Sequence, residues 1–342
     1  MHDLRRTIRT GLAKPRGLNV SGDWDGPPSG LLWTFQFRGG VGALAGEDDL
    51  AGADWSWSHF RLGDVRAQAP LREAGLPEAA QELFSLREDR VQIEQAGDWV
   101  FGILPDLERD LSGKPQGEGK LIFAFGARRL ITGRLHALLA VDDLRHRVER
   151  GAAFAGPAAA LVEMIELYLD RIERIFDGLG DQLAAIEDYV LAEPQSPRDS
   201  GLSSVRRRLA RYRRELQSLR SALIRALGGR MGERIEALGA GIPDLVSQIE
   251  DLDHEVAGLQ ERGRLLYEEI DTLINAATNR SMRALTVIST LLIPPTLIVG
   301  AFGMNVPGIP WDKSPIGFTL ASCLCLATIG LTLWYLRRKD ML

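Results

Sequence analysis

The residues best placed for chemistry lie on one helical face near the C-terminal end of the 342-residue chain. Glu261, Leu265, Glu268, Thr272, Asn275, Asn279, Met282, Thr286, Ser289, Ile293, Thr296 and Gly300 follow one another at intervals of three or four residues. That spacing stacks side chains on one side of an α-helix. The face begins with carboxylates, continues through carboxamides and hydroxyls, and stays rich in polar or small residues to its end. It contains no imidazole or thiolate, the donors Zn²⁺ usually prefers. It could wet a passage for a cation, or pack dry against another helix. Ser and Thr can bond the carbonyl one turn back, and small residues suit close helix contact. Both readings stand on the stripe alone. The sequence holds no P-loop, GxGxxG, GxSxG or HExxH pattern, so nothing supports an enzyme.

Other clusters carry weaker signals. Glu250 and His254 stand one turn apart in an acidic run that includes Asp251, Asp253 and Glu255, and they form a weak candidate metal pair. A solvated helix face is the plainer reading. Arg206–Arg214 (RRRLARYRR) reads as a salt-bridged face. Cys323 and Cys325 are two apart on a helix and point to different sides as apolar filler. His59, among tryptophans, reads as a domain residue rather than a ligand.

The stripe must be carried by an element that crosses a membrane. Ala284–Phe302 is free of charge and about as long as the ~20 residues a bilayer core requires. A second uncharged run spans Ser314–Leu336, closes with Trp334-Tyr335, and is followed by Arg337-Arg338-Lys339. The connection from Gly303 to Lys313 is short and carries a single cation, so the positive-inside rule predicts the large N-terminal part and the C-terminal tail on the cytoplasmic side. Polar groups at membrane depth face protein or a water-filled lumen. Two helices cannot enclose such a lumen, so a transporter built this way must be an oligomer. Pro294 and Pro295 each remove a helix hydrogen bond, freeing the carbonyls of Thr290 and Leu291. Those carbonyls need water or nearby hydroxyls such as Ser289 and Thr290.

Upstream, from Asp244 to Phe302, the only prolines are Pro294 and Pro295, which predicts one helix on the order of 90 Å at ~1.5 Å per residue. Its apolar seam runs through Leu245, Ile249, Leu252, Val256, Leu259, Gly263, Leu266, Ile270, Leu273 and Ala277. Ala158–Ala192 and Leu202–Leu227 are further amphipathic helices. Residues 30–135 are mixed: a strand at Leu31–Phe37, a hairpin of Arg90–Gln95 with Trp99–Leu104, a second of Leu121–Phe125 with Leu130–Leu135, and helix at Pro77–Leu86. The first residues, basic and then Gly/Pro-rich, predict a loose tail without a secretory signal. Two cysteines, both in an apolar stretch, cannot staple the soluble part, which reads as reduced and cytosolic. A net charge of −5 gives no footprint for nucleic acid.

Directly after the first membrane segment stands Gly303-Met304-Asn305, followed by Val306-Pro307-Gly308-Ile309-Pro310-Trp311. This resembles the GMN signature of the CorA superfamily, placed as in that family between two C-terminal membrane helices. Trp55–Phe60, the hairpin at Gly97-Asp98 and the stretch Val141–Arg145 look like the ZntB branch. The resemblance implies an α+β fold: a cytosolic α/β/α domain, then long α-helices and two C-terminal transmembrane helices per subunit, in a funnel-shaped homopentamer. It divides the chain into a tail (1–28), the α/β domain (29–157), cytosolic helices (158–242), a stalk continuing into the first transmembrane helix (243–302), an extracytoplasmic GMN loop (303–313), the second transmembrane helix (314–336) and a basic tail (337–342).

It further implies Gly303, Met304 and Asn305 as the ion entrance. Pore positions fall on Thr296, Ile293, Met282 and Asn279, which lie on the stripe together with Ser289, Thr286, Asn275 and Glu268. Five carboxamides at Asn305 would offer oxygens to the waters of a hydrated dication without a fixed charge to trap it. Mg²⁺-type members often carry an acid after the loop's Met-Pro pair. Here Ile309-Pro310-Trp311 has none, which favours the ZntB branch and Zn²⁺, a branch associated with coupling to the proton gradient. The expectation is a bacterial inner-membrane protein without cofactor or nucleic-acid partner, with Zn²⁺ or another dication as cargo. A Mg²⁺/Co²⁺ channel and a membrane-anchored coiled-coil scaffold or sensor are the alternatives.

Overall fold

A computed structural model describes residues 30–45, 52–85, 90–110, 112, 115–192, 201–228, 241–304 and 315–338. The expected tail, the GMN loop from Asn305 onward, and the basic tail from Lys339 onward lie outside these residues.

Seven strands form one sheet among the described residues: β1 (Leu31–Arg38), β2 (Val41–Leu44), β3 (Trp55–Arg61), β4 (Gln92–Ala96), β5 (Trp99–Arg109), β6 (Pro115–Phe125) and β7 (Arg129–Arg134). Their order is β2-β1-β3-β7-β6-β5-β4. All neighbours are antiparallel except β3 and β7, which run parallel with Trp57 beside Leu130. Both expected hairpins are present. In the first, Gly97 takes φ 57°, which the turn needs and glycine supplies without strain.

Strand β5 is buried almost along its length, because helices cover the sheet on both faces. On one side α1 (Gln68–Glu73) and α2 (Glu78–Ser85) bury Leu71, Ala80 and Phe84 against Phe101, Ile103 and Ile122. On the other, α3 (Leu139–Glu149) packs on β2 and β5. Helix α3 lacks a side-chain cap of its own. The buried carboxylate of Asp106 on β5 replaces it, accepting hydrogen bonds from the N–H groups of Leu107 (2.6 Å), Ala140 (3.0 Å) and Val141 (3.4 Å). An anion is stabilised where a helix leaves its first N–H groups unpaired.

The remaining elements are helical: α4 (Pro157–Ala192), α5 (Leu202–Gly228), α6 (Ile242–Phe302) and α7 (Pro315–Arg338). Helix α6 is continuous over 61 residues, with Pro243 at its first turn, where a missing N–H costs nothing. The described residues separate into two compact units. One runs up to Asp170 and includes Ser218–Ser247; the other takes Arg171–Gln217 and everything from Gln248 onward. In the second unit the buried seam of α6 is Ile249, Leu252, Val256, Gly263, Leu266 and Ile270, six of the residues its periodicity marked.

Candidate ion pathway

Helices α6 and α7 are each long and apolar enough to cross a bilayer. On the apolar part of α6 the half-covered positions include Val287, Leu291, Pro294, Ile298 and Phe302, one side of the helix at helical spacing. That side meets α7, where the Cys325 thiol lies 3.9 Å from the carbonyl oxygen of Pro295. Along α7 the half-covered positions include Ser322, Cys325, Thr328 and Thr332, small residues that let two membrane helices approach closely. Cys323 is exposed and Cys325 half-covered, on different sides as their spacing requires.

The stripe occupies the opposite side of α6. Asn275, Asn279, Met282, Thr286, Ile293 and Thr296 are all exposed, and Ser289 is intermediate. Met282 is 65% exposed and Ile293 64%. The hydroxyls of Thr286 and Thr296 donate to the carbonyls of Met282 (2.9 Å) and Leu292 (2.7 Å). Each donor is therefore spent on the helix, and the oxygen lone pairs remain to face outward as acceptors. Acceptor oxygens suit the hydration shell of a cation better than that of an anion.

One local expectation differs. The Thr290 hydroxyl donates to the Thr286 carbonyl at 2.8 Å, one turn earlier than the carbonyls that Pro294 and Pro295 leave without donors. A Thr side chain in a helix reaches back to residue i−4, so Thr290 cannot serve its own carbonyl or that of Leu291.

Toward the N-terminal end of α6 the stripe is charged. Arg264 bonds Glu261 at 2.6 Å and also Glu268, forming a short ladder along α6. The guanidinium holds Glu261 below the usual carboxylate range, and the two acids raise Arg264 above its own. Asn275 donates to Asp271 at 3.1 Å. At the other end α6 finishes at Phe302, where the Gly303 N–H bonds the Val299 carbonyl at 2.9 Å and Met304 is 55% exposed. Glu250 and His254 gain no third ligand: among the described residues no group of three or more His, Cys, Asp or Glu could hold a metal.

The CorA-like Mg²⁺ transporter family matches residues 52–338 of the chain. The chain belongs to the CorA family of divalent-cation transporters. Its relatives include the divalent cation transporter CmaX of Pseudomonas aeruginosa, 30% identical over 326 residues, 92% of this chain and 97% of that protein. The zinc transport protein ZntB of Pectobacterium carotovorum is 24% identical over 328 residues, again 92% and 97% of the two chains. A solved structure of full-length CmaX superposes with a TM-score of 0.77 at 28% identity, covering 92% of this chain and 99% of the other. CorA-family membership accounts for both apolar helices and the sheet domain together.

Sequence reasoning did not find the Asp106 cap or the hydrogen bonds around His59 in this CorA-family chain. Asp106 had no local signal, since the α3 residues it caps lie more than 30 residues away. Around His59, the Thr132 hydroxyl meets Trp57 Nε1 and His59 Nδ1, each at 2.8 Å. The imidazole stacks on Trp33 at 4.3 Å, while Arg134 and Arg145 lie over the Trp33 ring. Burial first, and then the charges of Arg134 and Arg145, hold His59 well below its ordinary pKa, so it is neutral. It is a core residue, as its tryptophan neighbours foretold.

Proposed function

We propose that several copies of this chain, five by the family resemblance, gather their α6 stripes around one axis and pass Zn²⁺ across the bacterial inner membrane along it. Asn305 forms the outer mouth with Gly303 and Met304. The dication then meets Thr296, Ile293, Ser289 and Thr286, and leaves past Met282, Asn279, Asn275 and Glu268 to the cytosol, where both termini lie. Waters stay on the ion, held by carboxamide and hydroxyl oxygens that carry no net charge and release it again.

The observation that carries this reading is the placement of the stripe on the side of α6 away from α7. A helix pair that packed dry would bury its small polar face between the two helices. Here α7 takes Leu291, Pro294 and Ile298 instead and leaves Thr286 and Thr296 bare. Zinc as cargo is supported by the ZntB relative and by the acid-free Ile309-Pro310-Trp311 stretch. A Mg²⁺/Co²⁺ channel is the second reading, favoured by the description of the matching family.

Flux of Zn²⁺, Mg²⁺ and protons into liposomes holding the purified protein tests the proposal, with Asn305→Ala alongside. Zn²⁺ entry that falls in the variant is expected. Equal entry in both, or none in either, would count against the pathway, and Mg²⁺ entry without Zn²⁺ would establish the second reading.

A further inference from the structure

The cytosolic half of α6 packs in a three-helix bundle with the distal parts of α4 and α5, all within the second compact unit. At ~100° per residue, Leu252, Val256, Leu266 and Ile270 point into the bundle, and Leu265, Glu268 and Thr272 point directly away from it. The two flanks between these directions differ in charge.

On one flank, α5 and α6 form an open groove lined by Arg206, Arg207, Arg213 and Arg264, with Glu261 its single lining acid. It continues along Arg211 and Arg214 without an acid. Arg213 is engaged by Asp253 (3.1 Å) and Gln260 (2.9 Å), and Arg206 lies over Tyr267 at 5.0 Å. Among the described residues, Arg207 and Arg214 have no ion-pair partner. On the other flank, α4 carries Glu173 and Asp177 one turn apart and α6 carries Glu255, all three exposed. Burial raises the Glu255 carboxyl, and the nearby Asp177 and Glu173 raise it further. Farther along, Arg262 is neutralised by Glu187 at 2.6 Å.

We infer that the basic α5/α6 groove of one copy receives the acidic α4/α6 flank of the next, so that these two unlike surfaces are the contact between adjacent subunits. The inference rests on the proposed assembly, in which the face of α6 away from the bundle looks toward the axis. With that face inward, the two flanks lie about a quarter turn to either side, each toward a neighbour. A contact between two unlike patches is head-to-tail, and repeated by rotation it closes a ring. Two acidic or two basic flanks would repel, so the opposite signs fix the direction in which copies follow one another.

The test is the mass of the full-length protein in mild detergent, by light scattering and native mass spectrometry, with zinc flux measured in parallel. Arg207→Glu with Arg214→Glu puts two acids of the groove opposite the acidic flank, and Glu173→Lys with Asp177→Lys makes both flanks basic. Each should weaken assembly roughly tenfold or more at low salt. Joining all four substitutions in one chain sets the new glutamates against the new lysines and should restore the wild-type mass. Unchanged mass in either reversed variant would overturn the inference, as would assembly that stays lost in the exchanged chain. So would an Arg207/Arg214 variant of normal mass whose only defect is weaker binding to anionic lipid vesicles. If zinc flux persists while the groove variants keep their mass, only the pairing of flanks fails. A wild-type monomer that still conducts would defeat the proposed pathway as well.

Discussion

Replacing Asp106 tests whether a strand residue caps a helix that cannot cap itself. Its carboxylate is 1% exposed and accepts from three backbone N–H groups, two of them in the first turn of α3. Asp106→Ala leaves those donors buried and unpaired, at ~1–3 kcal/mol for each well-formed bond lost. The bonds to Leu107 and Ala140 are short, while that to Val141, at 3.4 Å, contributes little. The two strong bonds set a range of roughly 2–6 kcal/mol. A compensating factor lowers it. The adjoining cavity between Asp106, Ala140 and Tyr168 is about 10 Å³, at the margin of what one water requires. Removing the carboxyl enlarges it enough to admit one water, which can satisfy one of the two donors. The expected loss is therefore about 2–4 kcal/mol. Asp106→Asn keeps one acceptor but turns a donor toward the helix N-terminus and removes the charge, for about 1–2 kcal/mol. Urea unfolding of the full-length protein, followed by the fluorescence of buried Trp55 and Trp57, measures both. If the alanine variant unfolds within about 0.5 kcal/mol of wild type, the capping role is refuted.

Three other outcomes follow from the structure. Thr296→Cys treated with a charged thiol reagent should lose roughly tenfold in zinc flux, whereas Leu292→Cys, exposed but off the stripe, should lose little; equal sensitivity would place the pathway elsewhere. His59 is neutral when folded, and the unfolded chain takes up its proton near the ordinary pKa of ~6.5. Stability from this residue is thus intact above that pH and declines by about 1.4 kcal/mol per unit as pH falls toward the lowered folded value. Unfolding at pH 7.5 and 5.0 should show a smaller pH dependence in His59→Gln. Gly102 faces the carbonyl of Gln92 so closely that a Cβ would overlap it. Gly102→Ala should therefore destabilise the β4/β5 pairing by about 3 kcal/mol or more, read as a lowered thermal midpoint.

The sequence made some elements plain and concealed others for identifiable reasons. Helix α6 was visible because its apolar seam persists at one period and its internal prolines sit only at Pro294 and Pro295, so local and global preferences agree. The hairpins at Gly97 and at Gly126–Arg129 were visible because their turns are encoded within a few residues. Strand β2, four residues with a glycine, had too little pattern to register. Trp55–Arg61 stood out for its tryptophans, but its parallel pairing with β7 joins segments some 70 residues apart. The Asp106 cap and the His59–Thr132–Trp57 contact are also long-range, and no periodicity reports such pairs. Within the pathway, the stripe followed from spacing alone. Its direction relative to α7 did not, because it depends on where the second apolar helix docks.

The unbroken α6 also fixes how its apolar part can respond to the helix bundle at its other end. Its backbone ladder continues from the bundle into the apolar segment, with donors absent only at Pro294 and Pro295. A stiff rod of this kind transmits torsion: if the acidic end turns about its long axis, Met282, Thr286 and Ser289 swing through nearly the same arc. Compliance is confined to the last turns, where two rungs are missing. The segment carrying Thr296 toward Gly303 can therefore bend independently of the shaft beneath it.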